Sequence, residues 1–275
     1  MSADIGRIWR ENMTPRSNIE WQFWGKQDPL WAVASWKNRN KDGANPWRDK
    51  DFYELGRSDW DDFVTHWEKY GVANDVAVEI GCGAGRLTKS LAGYFKKIHA
   101  LDVSEDMISY AAKNIQNSNV VFNVTSGSTI PVENNSITAV FSTHVFQHLE
   151  SVDDVSAYFA EIFRALAPGG TMMIHLPVHS WPYGAGELIK RVFKLHKLVE
   201  TYWSRLKRYI LKRGGSASLM RMHSYGIDYL YSSLSGLGFE DIEVCVFSTK
   251  SNDDPHPFVF ARKPQLQNDQ PERRL

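Results

Sequence analysis

The stretch Val76-Ala77-Val78-Glu79-Ile80-Gly81-Cys82-Gly83-Ala84-Gly85-Arg86 limits what this chain can fold into more than any other. An apolar run of this length reads as a parallel strand buried on both faces. Three glycines at alternate positions then let the backbone turn sharply and approach a ligand closely. Arg86 to Phe95 reads as a helix, whose first N–H groups lack partners of their own. The unit is a strand, a glycine loop and a helix, a nucleotide-type site. It is not a P-loop, because no Lys-Ser/Thr follows the glycines. It is a poor dinucleotide fingerprint, because the G-x-x-G spacing is missing.

Glu79 narrows the ligand. An acid just before the loop repels a pyrophosphate but suits an ammonium group. About twenty residues on, Asp102 ends a second apolar run, where a carboxylate accepts from two ribose hydroxyls. Ribose, an amine and no phosphate describe S-adenosylmethionine (SAM). With these residues the chain resembles the class I SAM-dependent methyltransferases, well over about residues 70–176 and loosely beyond. The resemblance implies a Rossmann-like, doubly wound α/β sheet of seven strands. It places cofactor contacts at Glu79, Gly81, Cys82, Gly83, Arg86, Asp102, Val103 and Met107. Where many relatives have an acid for the adenine amino group, this chain has Ser126-Gly127, so an uncharged oxygen replaces a carboxylate. Thr143-His144-Val145-Phe146-Gln147-His148, after the fourth strand, matches the loop that touches the methionine part and faces the acceptor. Leu166-Ala167-Pro168-Gly169-Gly170 resembles a further signature of the family.

From Val76 the pattern alternates: strand Val76–Ile80, helix 86–95, strand 97–101, helix 105–116, strand Val120–Val124, strand Ile137–Ser142, helix 152–166 and strand 171–176. It predicts parallel strands with right-handed crossovers and ligands at their carboxyl ends. A helix over 224–237 and two antiparallel strands, 239–248 and 258–263, would close the sheet.

Residues 1–70 hold eight of the ten tryptophans. Asp28-Pro29 reads as a helix start, and Ser58 or Asp59 as the cap of a helix ending near Tyr70. Packing explains most of these aromatics. The resemblance adds a second reading, a helical lid with an aromatic facing the methylsulfonium by cation–π contact. Residues 71–264 form the methyltransferase domain, with an insertion at 178–223 and a disordered tail at 265–275. In the insertion an apolar seam from Leu188 to Tyr209 predicts a helix over 186–212. Between Glu187 and Arg221 ten Lys/Arg face two acids, an excess of +8 in a chain of zero net charge. A solvated face explains this, as does an anionic acceptor, an acidic carrier domain or peripheral contact with an anionic membrane.

The expected activity is SAM-dependent methyl transfer to a small-molecule or glycan/lipid-linked acceptor, at oxygen. An oxygen acceptor needs a base, and His144, His179 and His223 are the candidates, an unperturbed imidazole titrating near neutrality. Thr143 lies at the cofactor. No metal is expected, since no Asp/Asn/His set stands at ligand spacing along the chain. An RNA or protein methyltransferase is the alternative, and a non-catalytic SAM-binding module the other. No nucleic-acid-binding module is recognised, and no Asn-Pro-Pro-Tyr acceptor motif follows the fourth strand. Two cysteines, Cys82 and Cys245, fit a reducing cytoplasm. The sequence is silent on the oligomer.

Overall fold

The computed structural model describes residues 15–179 and 222–265. The seam and basic excess assigned to a helix over 186–212, and the tail from 266, lie outside the described residues. So does Trp9. Three helices come first: α1 (Arg16–Gln27), α2 (Pro29–Val33) and α3 (Asp49–Tyr70). The core follows as β1 (Val76–Ile80), α4 (Thr88–Tyr94), β2 (Lys97–Asp102), α5 (Glu105–Asn114), β3 (Val120–Val124) and β4 (Ile137–Ser142). A 3₁₀ turn (Phe146–His148), α6 (Val152–Ala165) and β5 (Leu166–His175) complete its parallel part. Short strands β6 (Val178–His179) and β7 (Tyr225–Gly226) pair beside it, before α7 (Ile227–Leu237), β8 (Glu240–Thr249) and β9 (Asn252–Arg262).

The main sheet has seven strands in the order β3-β2-β1-β4-β5-β9-β8. β1 to β5 run parallel, and β9 runs antiparallel to both β5 and β8. Strand order reverses at β1, with β2 on one side and β4 on the other, so a crevice opens at their carboxyl ends. Ala77, Val78 and Ile80 are buried, as a strand covered on both faces must be. One face packs on α6 and α7 through Phe146, Phe159, Ile162 and Leu234. The other packs on α3 and α4 through Trp60, Phe63, Trp67 and Leu91. α6 opens with a reciprocal capping box between Ser151 and Asp154.

Several boundaries differ from the sequence expectation. α3 begins at Asp49, so Ser58 and Asp59 lie inside a 22-residue helix and neither caps it. The helix carries on because Phe52, Tyr53, Trp60, Phe63 and Trp67 continue one buried face on both sides of that point. Gly71 ends it in the left-handed region, φ 99°. β5 starts at Leu166 rather than 171, because Leu166 already pairs with Ile137 and Gly169 and Gly170 exchange backbone hydrogen bonds with Lys263. α7 starts at Ile227, since Tyr225 and Gly226 pair with Val178 and His179. β9 starts at Asn252, its first half zipped to β8.

Candidate functional site

The glycine loop is anchored to the end of β2. Gly81 and Cys82 donate to the Leu101 carbonyl at 2.8 and 2.9 Å, tying the loop to the end of β2. Gly81 and Gly83 have φ of 73° and 53°, left-handed values that favour glycine. A Cβ on Gly81 would sit 2.1 Å from Val145 Cγ2, and one on Gly83 2.6 Å from Val33 Cγ2. The loop therefore touches both the turn after β4 and the N-terminal segment. Asp102 organises its rim. One carboxylate oxygen accepts from Gly83 N–H at 2.8 Å and the other from Ser104 N–H at 2.9 Å. Burial raises its pKa, against the pull of these N–H donors. Ser104 in turn caps α5.

A cavity of about 380 Å³ opens at this point, between the loop, the carboxyl ends of the strands and the N-terminal helices. Of the expected cofactor residues, Gly81, Gly83, Arg86, Asp102, Val103, Met107, Gly127 and Thr143 line it. Glu79, Cys82 and Ser126 do not. Glu79 is buried beneath the loop and accepts from the Thr88 hydroxyl at 2.6 Å. Its desolvation outweighs that bond and lifts its pKa to about 7. Cys82 turns into the core, where burial raises its thiol well above the usual range. Ser126 offers its carbonyl to Asn18 Nδ2 at 2.9 Å. Arg86 is paired with Asp59 of α3, and Ser251 at the β8–β9 turn also bonds Asp59.

Helix α1 lies across the mouth. Ser17 N–H reaches Glu150, Asn18 reaches Ser126, Gln22 reaches Val103, and Trp21 meets the His148 ring edge-on at 5.1 Å. Trp21, Val33 and Trp36 line the cavity. A concave site of this size, apolar over most of its wall with polar groups converging on it, is the usual form of a small-molecule pocket. The residues fit a SAM-type ligand. The buried Thr143 hydroxyl has no hydrogen-bond partner and lines the cavity with the Asp102 carboxylate.

Of the three candidate bases, only His144 lines the cavity. His179 bonds Ser224 at 3.1 Å, and His223 N–H donates to the Gln147 carbonyl at 2.7 Å, both outside the lining. His144 has a left-handed φ of 58°. Burial, then His175, holds its pKa well below the ordinary 6.5. Burial likewise lowers His175, to about 3, and His256. The expectation of no metal-ligating set rested on spacing along the chain. The fold brings His144, His175 and His256 together from three separate segments. Sequence reasoning missed His175 and His256, and also Asp59 and Trp21. His175 alone had a usable signal, since it ends a core strand at the ligand edge of the sheet.

A sequence profile for a methyltransferase domain matches residues 78–174. Malonyl-(acyl-carrier protein) O-methyltransferase of Hahella chejuensis is 37% identical over 105 residues, 38% of this chain and 36% of that protein. Phosphoethanolamine N-methyltransferase 2 of Caenorhabditis elegans is 30% identical over 115 residues, 41% and 24% of the two chains. The chain thus spans little more than a third of these relatives at most. The solved N-methyltransferase NodS of Bradyrhizobium japonicum, in complex with S-adenosyl-L-homocysteine, covers 86% of this chain and 100% of its own at 18% identity, TM-score 0.53. Phosphoethanolamine N-methyltransferase 2 of Haemonchus contortus covers 75% and 53% at 20% identity, TM-score 0.51. At such identities these two structures show the fold alone. Sheet order, glycine loop and profile agree, and residues 78–174 are a class I SAM-dependent methyltransferase domain.

Proposed function

We propose that this chain transfers the methyl group of SAM to oxygen of a small-molecule or glycan/lipid-linked acceptor. The observation that carries the reading is Asp102, a carboxylate fixed by Gly83 and Ser104 N–H groups at the cavity rim, beside a loop with no room for a side chain at Gly81 or Gly83. Each carboxylate oxygen keeps a lone pair for a ribose hydroxyl. The cofactor supplies an electrophilic methyl, so the protein's part is alignment. Thr143 sits where a polar ligand group would satisfy its hydroxyl. Trp21, Trp36, His144 and His256 line the same cavity and would face the acceptor. Oxygen is favoured because a cationic amine would want a free carboxylate at that end, and Asp59 there is committed to Arg86. The curated relatives are named for an O- and an N-methyltransferase, so both acceptor atoms belong in the assay.

Asp102→Ala should weaken S-adenosylhomocysteine binding by about 1.5–3 kcal/mol, the worth of charge-assisted hydrogen bonds. Calorimetry on wild type and variant reads this directly. Unchanged affinity in a folded variant, or no binding by the wild type, would sink the proposal.

The lid belongs to the same proposal, confined to α1, α2 and the loop to Trp47. Trp60, Phe63 and Trp67 of α3 are core instead. A chain starting at Arg48 should keep a cooperative unfolding transition and lose methyl transfer at least tenfold. Normal turnover by the shortened chain would show that α1 is only packing.

A further inference from the structure

Three imidazoles meet at one end of the cavity, and the alignment of a methyl group does not by itself require them. His144 follows β4, His175 ends β5 and His256 lies in β9, so three adjacent strands each bring one ring. One ring nitrogen from each lies within 4.8 Å of those of the other two. The ring centroids are 4.3 Å apart for His144–His175, 5.5 Å for His144–His256 and 5.6 Å for His175–His256. His175 and His256 are 4% and 8% exposed, and His144 and His256 line the cavity.

Hydrogen bonding leaves these rings nearly bare. Of their six nitrogens, only His175 Nδ1 has a partner among the described residues, the His144 backbone N–H at a long 3.4 Å. Histidines buried for packing normally bond a carboxylate, a carbonyl or each other, whereas none of the unpartnered nitrogens here is fully sealed, so a ligand can reach them. Here three of them turn their nitrogens toward one point.

We propose that His144, His175 and His256 form a binding site for a divalent transition metal, Zn²⁺ foremost, with a further coordination position open to the cavity. Three imidazoles with an open position are the ligand set of a catalytic rather than a structural zinc. Zn–N bonds of about 2.0–2.1 Å at tetrahedral angles put the ligating nitrogens about 3.4 Å apart. The observed limit of 4.8 Å is therefore closed by ring rotations of little more than an ångström. The weak contact to His175 Nδ1 is the one bond such a closure would displace. Charge around the site is balanced. Arg86 faces His144 and His256, but Asp59 pairs with Arg86 and itself faces His256, as does Asp254. His148 faces His144 and His175 without adding a strong field. The open position would take an oxygen ligand. That this oxygen is the methyl acceptor's rests on the function proposed above, whereas metal binding itself does not.

The test uses the full chain, stripped with a chelator and titrated with Co²⁺ alone. One equivalent should bind, giving the visible bands of low-symmetry four- or five-coordinate cobalt, and Zn²⁺ should abolish them. His175→Ala and His256→Gln should each weaken binding by roughly a hundredfold, at or above the upper end of what loss of a supporting partner costs. His99→Ala, in β2 on the other side of β1 from β4, should leave it unchanged. Circular dichroism confirms that each variant is folded. A folded wild type that shows neither cobalt bands nor zinc uptake overturns the site. So does binding that survives both substitutions. Calorimetry with S-adenosylhomocysteine is run on the same samples, so loss of the metal site and loss of the cofactor reading are told apart.

Discussion

Replacing Asp59 by alanine should destabilise the folded chain by about 3–5 kcal/mol, the cost of leaving a buried charge without its partner. Asp59 and Arg86 are 7% and 6% exposed and pair directly. Asp59 also takes the Ser251 hydroxyl. Three segments distant in sequence thus meet on one carboxylate: the middle of α3, the end of the glycine loop and the β8–β9 turn. The α3 backbone is equally close, because a Cβ on Gly56 would lie 1.9 Å from the Arg86 carbonyl. Urea unfolding at neutral pH measures the cost. The double variant Asp59→Ala, Arg86→Met should recover most of it, since an apolar pair replaces an ion pair with little loss. A single variant within about 0.5 kcal/mol of wild type would mean that the pair is open to water and contributes as little as a surface salt bridge.

The same residue shows where reading the sequence stops. Asp59 follows a serine ahead of Trp60 and Phe63, which is what a helix start looks like locally. Its true role depends on Arg86 and Ser251, 27 and 192 residues away, and no local pattern carries that. The glycine loop and Asp102 were legible because their chemistry is written within one strand–loop–helix–strand unit. The parallel strands followed from alternation and handedness, and the seven-stranded sheet from the family resemblance. The start of β5 was obscured by Pro168 and Gly169, which look like breakers. In the fold they sit where the strand has already paired with Ile137 and meets Lys263. Cys82 and Ser126 lie in the right segments but point away from the cavity. Cys82 packs into the core from the glycine loop, and α1 takes the Ser126 carbonyl. The histidine cluster was illegible for a different reason: its members lie on neighbouring strands that are far apart along the chain.

Glu79 should make the ligand-free protein less stable as pH rises from the acid side toward neutrality. Its carboxyl is desolvated beneath the glycine loop, which raises its pKa from 4.5 to about 7. The Thr88 hydroxyl and the Arg86 charge favour the ionised form, while Asp102 opposes it, and burial outweighs both helpers. Between those two pH values the folded chain holds the proton and the unfolded chain has lost it. The folded state then binds more protons, so stability is fully present below about pH 4.5 and is lost as pH rises through about 7. A displacement of this size corresponds to roughly 3 kcal/mol at about 1.4 kcal/mol for each pH unit. Glu79→Gln keeps an acceptor for Thr88 and cannot ionise, so it isolates this one group from every other titration. Unfolding free energies of the two proteins at about pH 5 and about pH 8 should differ in their gap by roughly 2.5 kcal/mol, in favour of the glutamine at the higher pH. A gap that stays constant would show that Glu79 is ionised throughout and that Arg86 prevails over burial. If the gap does open, a cationic ligand above the loop should draw the proton off. The binding enthalpy of SAM at neutral pH would then depend on the ionisation enthalpy of the buffer in wild type and not in Glu79→Gln.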